Sequence, residues 1–586
     1  MKYQLISEIT YPPLTQIFVN RGIPASKVDS YIHADESDIN EPERLDENKI
    51  KQGVKLLLTN VKNNTPTAII VDPDVDGNTA SALLLNYLHI LFPTWTESIR
   101  FYVHDGKQHG LNDCVKQLLS EGYKFFLVPD AGSNDTEACK KIVDEGGEVL
   151  ILDHHDFDKE NQYATIINNQ DGYSNYPNKF LSGVGVVWQF CRYIDKLNNT
   201  DHADNFRDLV AIGLVGDMMD LREIETSYLV HNGLKNINNP LIYGLAKKNE
   251  FKLGDNISPI GAAFYIVPLI NAVQRSGTQE EKELIFQSML SYKAFEEIPS
   301  TKRGHNFGEM ERRVDQAVRQ AGNVKNRQAR IQDKSLETLE KKIEDEHLLD
   351  HKALLLLLDD DNNIPAEVRG LIANKFMAKY QRPCCLLTKG DKNGVPVSQG
   401  SARGWSLAGV DDFKQICQDS KAIEYAVGHP NAFGLGIPVE AVDDFIAKTD
   451  ASLADMTDEP QYYVDFIFDG QHIDEDTIYT IANMEEFWGQ NMDEPYIAIK
   501  GLKVTADMVD IYEKATNTIK ITLHNKITIM KFKATMEECN KLKYNNNGFV
   551  EIDLVGRAHQ NNYNGNVSAQ VITEAYNIID SNKYYF

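Results

Sequence analysis

The sequence predicts an α/β protein organised around a parallel, doubly wound sheet, followed by a smaller α/β domain and a terminal set of short strands. Apolar, β-branched or aromatic runs recur at Ala68-Ile69-Ile70-Val71, Phe125-Phe126-Leu127-Val128 and Val149-Leu150-Ile151-Leu152, as in strands buried on both faces. Helical patterns lie between them, for example Thr79 to Leu91 and Asp135 to Glu145, so strand, polar residue and helix alternate three times. Beyond Asp450 the pattern changes to short alternating segments separated by Asn- and Gly-containing turns.

Each strand ends in potential ligands: Asp72-Pro73-Asp74-Val75-Asp76-Gly77, then Pro129-Asp130, then Asp153-His154-His155. A fourth stretch, Gly216-Asp217 followed by Asp220, adds more carboxylate. Open α/β sheets place their ligands at strand C-terminal ends. Carboxylates suit Mg²⁺ or Mn²⁺, and an imidazole among them favours Mn²⁺. Structural zinc is not indicated without paired Cys. Any one stretch is as readily a turn as a ligand site, but four together are not. Asp153-His154-His155 is the most specific, because two adjacent histidines after a buried strand have no packing reason to be there.

These stretches resemble motifs I to IV of the DHH phosphoesterases, which include RecJ exonucleases, oligoribonucleases and family II pyrophosphatases. The resemblance implies that Asp74 and Asp76 each bind one metal, that Asp130 bridges the two, and that His154 and Asp217 complete the coordination. Asp72, Asp153 and His155 match positions that orient the ligands. Several relatives carry a metal-binding His just before the first motif; here Ile70 stands there, as in RecJ-type members.

At 586 residues the chain is too long for one core, and three or four domains are expected. Seven scattered cysteines without a Cys-x-x-Cys pair give no disulfide framework, and adjacent Cys384 and Cys385 read as strand packing. The start of the chain lacks a signal-peptide pattern, and no run of 18 apolar residues occurs, so a cytoplasmic protein without a membrane span is expected. A net charge of −26 argues against general adhesion to nucleic acid. Between Thr301 and Arg330 the sign reverses, with Lys302, Arg303, Arg312, Arg313, Arg319, Lys325, Arg327 and Arg330 against Glu309, Glu311 and Asp315. This reads as the basic first half of a long connecting helix, within residues 296–350, that contacts nucleic acid.

The second domain, residues 351–455, opens with an apolar run at Leu354 to Leu358, a helix after Ile364 and a strand from Pro383 to Leu387. It resembles the DHHA1 domain of RecJ-type proteins. Ser401-Ala402-Arg403-Gly404 is similar to that subfamily's Ser-Gly-Arg turn, and Val427 to Gly434 to its Gly-Gly-His loop. The resemblance implies loops in which Ser401, Gly428 and backbone N–H groups approach a phosphate while Arg403 and His429 stabilise its charge. Ala402 and Val427 replace glycines, and Phe433 replaces a small residue and is expected to narrow the cleft. Asn271 to Arg275 resembles the Asn-Ala-x-x-Arg segment of RecJ, so Asn271 and Arg275 join the phosphate pocket. The Arg that follows the second strand in RecJ relatives is missing, and His104, Lys107 or His109 is expected to stand in.

Residues 456–586 resemble the RecJ oligonucleotide-binding (OB-like) β-barrel, where Phe532, Tyr544 and Tyr563 are candidates to stack bases. Leu14 to Ile23 resembles the RecJ leader helix, within a helical leader at 1–60 that precedes the DHH domain at 61–295. The resemblance thus implies a 5′-to-3′ single-stranded DNA exonuclease with two divalent cations, Mn²⁺ preferred or Mg²⁺. It would release 5′-mononucleotides, with partners in replication or recombination such as a single-strand DNA-binding protein (SSB) or a helicase. The alternatives are an RNA or short-oligonucleotide phosphodiesterase of the same family and a non-catalytic scaffold in a replication complex.

Overall fold

The computed structural model describes residues 1–583 apart from 105–107, 158, 171, 255, 359–363, 393, 457–458, 514–515, 525 and 564–565. Two compact units emerge: Arg21–Lys325 with Met484–Glu494, and Met1–Asn20 with Asn326–Asn483 and Pro495–Phe586.

In the first unit, α1 (Glu47–Asn63) leads into β1 (Thr67–Val71), α2 (Val75–Leu91), β2 (Arg100–Val103), β3 (Phe125–Pro129), α3 (Thr136–Asp144), β4 (Glu148–Asp153) and β5 (Thr165–Asn168). The strands form one wholly parallel sheet in the order β2-β1-β3-β4-β5. β1 and β3 are buried at every residue, which is why they read as continuous apolar runs rather than alternations. Strand order reverses at β1, so the ends of β1 and β3 flank the crevice where such sheets bind ligands. Helices α4 (Gly183–Asn198), α5 (Arg207–Gly216), α6 (Ile224–Lys235) and α7 (Val267–Ser276) follow the sheet. α2 starts four residues before the expected Thr79 because Asp74 caps it, its carboxylate accepting from the Gly77 amide. Every residue from Val75 to Leu88 is buried, as suits a helix packed on all sides.

The long helix α8 runs over Arg313–Asp345. Within the expected connector it is preceded by a hairpin in which Glu297–Pro299 pairs with Met310–Arg312, the turn region supplying left-handed glycines at Gly304 and Gly308.

In the second unit, β6 (Leu354–Leu358), α9 (Ala366–Tyr380), β7 (Cys384–Lys392), β8 (Val395–Arg403), α10 (Phe413–Asp419), β9 (Tyr425–His429), β10 (Ala432–Pro438) and α11 (Val442–Ser452) form a mixed α/β domain. Its sheet order is β9-β10-β8-β7-β6, with only β6 and β7 parallel. One face packs Leu354, Leu356, Cys384 and Leu386 on α9 residues Ile372 and Phe376. The other packs Cys385, Leu387, Ala402 and Phe433 on Phe413 of α10 and Phe445 of α11. A seven-stranded sheet follows, built from β11 (Phe466–Asp469), β12 (Tyr496–Val504), β13 (Val509–Tyr512), β14 (Asn517–Thr522), β15 (Thr528–Ala534), β16 (Gly548–Tyr563) and β17 (Asn566–Lys583) in the order β11-β12-β16-β17-β15-β14-β13. The expected leader at 1–60 is not wholly helical: Lys2–Leu5 is a strand pairing in parallel with Gln461–Val464, and helices run over Pro13–Asn20 and Val28–Ile32 before α1.

Candidate metal centre

The four acidic stretches converge. Asp72 and Asp74 follow β1, Asp76 lies in the first turn of α2, Asp130 follows β3, Asp153 ends β4, and Asp217 caps the C-terminus of α5. Ligand atoms of Asp72, Asp74 and Asp130 lie within 4.8 Å of one another, as do those of Asp76, His154 and Asp217, and those of Asp130, His154 and His155. Asp130 and His154 each belong to two of these groups, which makes them one continuous centre. His154 Nε2 lies 3.3 Å from Asp130 Oδ1, 3.4 Å from Asp217 Oδ2 and 4.0 Å from Asp76 Oδ2.

Other residues fix these side chains. Asp76 is buried at the N-terminus of α4, where Oδ1 accepts from Ser182 Oγ (2.9 Å) and the Val184 amide (3.1 Å) and Oδ2 from the Gly183 amide (2.7 Å). These three donors fix the orientation of the carboxylate. Asp153 Oδ1 accepts from the amides of His154 (2.7 Å) and His155 (3.2 Å) and from His155 Nδ1 (2.8 Å), while Oδ2 accepts from the Ser133 amide (3.0 Å). Burial alone would raise Asp153, but these bonds and the two imidazoles outweigh it and hold the carboxyl well below its usual range. Asn78 Nδ2 donates to the carbonyls of Asp72 (3.0 Å) and Asp74 (2.7 Å), and its Oδ1 accepts from Gln274 Nε2 of α7 (3.0 Å).

Sequence reasoning missed Ser182, Gly183, Asn78 and Gln274. A Ser-Gly pair opening an apolar helical run was the available signal for the first two. Losing Asn78 frees the loop that carries Asp72 and Asp74, and Asn78→Ala is expected to weaken Mn²⁺ affinity about 10–100-fold, read by titration calorimetry.

The electrostatics fit a divalent cation. Asp130 has left-handed backbone (φ 62°), and its Oδ1 is buried and, among the described residues, accepts no hydrogen bond. An ionised oxygen so enclosed is costly without a cation. Burial first, then the charges of Asp76, Asp74 and Asp72, push Asp130 well above the usual carboxyl range. Burial with Asp72 and Asp76 raises Asp74 to about 6, and burial with Asp76 and Asp74 raises Asp217 to about 8. Burial, then His155, lowers His154 towards the neutral imidazole that ligates metals. In His155 burial is outweighed by the Asp153 hydrogen bond and charge, which raise it to about 9. Repelling oxygens beside a neutral nitrogen form a donor set for Mn²⁺ or Mg²⁺.

Several expectations change. Asp220 turns away to Arg222, whose Nε lies 3.0 Å from both carboxylate oxygens. His104 is fully buried with Nδ1 3.1 Å from Asp113, so it cannot meet a substrate phosphate. Lys107 lies outside the described residues. His109 joins the centre instead, its Nδ1 2.8 Å from Asp72 Oδ1 and its ring 4.9 Å from that of His155. Arg275 is exposed on α7 next to Gln274, with Asn271 one turn earlier. Part of the basic stretch is neutralised locally: Lys302 and Arg319 pair with Glu311, Arg312 with Asp315 and Arg313 with Glu296. The hairpin before α8 brings Glu311 and Glu296 to these cations, which composition alone conceals.

Ser401, Arg403, Gly428 and His429 belong to the second unit. Ser401 and Arg403 lie in strand β8 rather than in a loop, and His429 ends β9. Arg403, Ala432 and His429 form one row across the sheet, and Ser401, Gly434 and Val427 the next row on the same face. Two small residues therefore separate the polar side chains, Arg403 and His429 standing roughly 10 Å apart by strand spacing. A Cβ on Gly370 of α9 would come within 2.6 Å of Arg403 Nη2 and 3.4 Å of Ser401 Oγ, so both side chains rest on bare backbone. Phe433 does not narrow this trough: it faces the opposite side, packed on Phe413 at 5.8 Å between ring centres. Phe532 on β15 and Tyr544, at the end of a short helical turn between β15 and β16, are exposed; the side chain of Tyr563 lies outside the described residues.

The model of the DHH family, N-terminal domain, matches residues 67–214, and that of the RecJ OB domain matches residues 464–575. An SPbeta prophage-derived protein of Bacillus subtilis (strain 168), YorK, which carries the provisional name of a single-strand DNA-specific exonuclease, is 31% identical over 574 residues, 97% of each chain. The chain belongs to the RecJ branch of the DHH family. The single-stranded-DNA-specific exonuclease RecJ of the same bacterium is 24% identical over 530 residues, 88% of this RecJ-type chain and 62% of its own length. RecJ of Thermus thermophilus in complex with Mn²⁺ shares the fold at a TM-score of 0.66 and 16% identity, over 99% of this chain and 80% of that one. The same protein with Mg²⁺ gives 0.60 and 15%, over 100% and 79%.

Proposed function

We propose that this RecJ-type chain is a metal-dependent hydrolase, a 5′-to-3′ single-strand-specific DNA exonuclease that uses two divalent cations, Mn²⁺ preferred or Mg²⁺, and releases 5′-mononucleotides. The convergence of Asp72, Asp74, Asp76, Asp130, His154 and Asp217 on one buried, mutually repelling centre carries the reading. When bound, such cations supply Lewis acidity and a water activated at neutral pH. The chain's residues divide the remaining work. Asp74, Asp76, Asp130, His154 and Asp217 would hold the cations, and Asp72, Asp153 and His155 would orient these ligands. Arg403 grips a phosphate by two parallel hydrogen bonds. His429, Ser401 and the Gly428 backbone steady the same group, and Asn271 and Arg275 bind a terminal 5′ phosphate.

The names of YorK and RecJ support single-stranded DNA as the substrate class. This reading places the protein in the cytoplasm with a replication or recombination partner such as SSB or a helicase. No described helix is long and apolar enough to cross a membrane.

The test is nucleotide release from 5′-labelled single-stranded DNA, the same RNA and duplex, each with and without a 5′ phosphate, in Mn²⁺ and in EDTA. Mn²⁺-dependent degradation of single-stranded DNA alone is expected. Preferential RNA cleavage would replace DNA by RNA as substrate, and no release would leave the chain non-catalytic. Arg403→Ala is expected to lower kcat/KM on single-stranded DNA by roughly 2 kcal/mol or more, about 30-fold.

A further inference from the structure

Asp217 is less enclosed than the candidate ligands Asp76 and Asp130. Its side chain is 32% exposed, against 1–2% for Asp76 and Asp130. Three donors hold the Asp76 carboxylate, whereas among the described residues none donates to that of Asp217. Its position therefore depends on its backbone. On one side α5 ends beneath it, with the amides of Asp217, Met218 and Met219 bonded to the carbonyls of Gly213, Val215 and Leu214 and Met218 left-handed at φ 56°. On the other side, at Leu221, the anchor comes from a segment more than 260 residues later in the chain.

That segment is the hairpin Met484–Glu494, which packs as part of the first unit although both flanking stretches belong to the second. Gly489 and Met492 exchange backbone hydrogen bonds of 2.9 and 3.1 Å, closing a turn in which Asn491 is left-handed. The Leu221 amide donates to the Gln490 carbonyl (3.2 Å), and the Leu221 carbonyl accepts from the Tyr31 hydroxyl (2.5 Å). Trp488 is buried beneath the Arg21 guanidinium, which lies 5.4 Å from the ring centre, and Arg21 Nε donates to the Asp493 carbonyl (2.6 Å). Phe487 packs edge-on against His231 at 4.8 Å. The fit is close: a Cβ on Gly489 would stand 2.5 Å from Leu221 Cδ1.

We propose that the Met484–Glu494 hairpin is a positioning element for Asp217, with Gly489 and Trp488 setting the loop that presents its carboxylate to the cation. The inference rests on the metal centre proposed above.

The test uses the full chain and Mn²⁺ alone, by titration calorimetry and electron paramagnetic resonance, with metal-free thermal unfolding as the folding control. Gly489→Ala is expected to weaken Mn²⁺ binding about 10–100-fold, as loss of an orienting partner does. Adding Leu221→Val, which removes the contacted δ-carbon, is expected to restore it to within about threefold, a reversal that additive structural damage would not show. Should Gly489→Ala not fold, Tyr31→Phe keeps the ring, removes the hydroxyl that bonds the Leu221 carbonyl and is expected to weaken binding in the same direction. Wild-type affinity in folded Gly489→Ala or Tyr31→Phe, or further loss in the double variant, would overturn the hairpin's role while leaving the metal centre intact. Failure of the wild type to take up Mn²⁺ would overturn both.

Discussion

Asp130→Asn is expected to reduce Mn²⁺-dependent cleavage on the order of 10³-fold or more, beyond the 10–100-fold that loss of an orienting partner costs, and to stabilise the metal-free protein. Both effects come from one carboxylate. Its Oδ1 is buried without a hydrogen bond, and Asp76, Asp74, Asp72 and Asp217 all raise its proton affinity. Asn removes the cost of burying a carboxyl that has no partner for its charge and takes up a proton instead, about 1–3 kcal/mol, and removes the group that joins two ligand clusters. Asn is the informative replacement because it tolerates the left-handed backbone at this position, where Ala adds strain. Activity by the nuclease assay and unfolding in EDTA read the two effects separately.

The same repulsion sets a pH dependence. Asp74 (about 6) and Asp217 (about 8) bind protons more tightly in the folded chain than the usual carboxyl near 4. Their contribution to stability is therefore fully present below that value and is lost as pH rises through 6 and then 8. Metal-free protein is expected to lose stability over this window, and added Mn²⁺ to restore it, as followed by thermal unfolding in buffers from pH 4.5 to 8.5.

Gly183→Ala is expected to damage the centre as severely by a different route. A Cβ there would lie 2.3 Å from Asp130 Oδ1 and 2.5 Å from Asp130 Cβ, while the Gly183 amide itself holds Asp76 Oδ2. Neither neighbour has room to yield, because Asp130 is pinned by its backbone bond to Leu152 and Asp76 by the α4 amides. Overpacking of this kind costs about 1–3 kcal/mol. Displacing Asp130 and Asp76 together is expected to lower Mn²⁺ affinity at least 100-fold. Unfolding and calorimetry on one preparation check both.

The parts of this site that follow strands were legible because β1, β3 and β4 are buried on both faces, so their apolar runs mark where Asp72, Asp130 and Asp153 emerge. The residues that hold those ligands were not. Ser182 and Gly183 act through a helix N-terminus more than 100 residues from Asp76, and Gln274 through Asn78, so only tertiary packing reveals them. Phe433 was misjudged because its effect on the trough depends on strand parity: Ser401 and Arg403 share one face, while Ala402 and Phe433 take the other. In the basic stretch before and within α8, Glu296 pairs with Arg313 and Glu311 with Arg319 through a hairpin, a pairing that charge counting does not show.

Counting bound Mn²⁺ per chain tests the central claim most directly. Wild-type protein is predicted to bind two ions with saturation, and Asp130→Asn to lose high-affinity binding at both. Absence of saturable uptake by the wild type, or two tightly held ions in the folded Asp130→Asn variant, would contradict it.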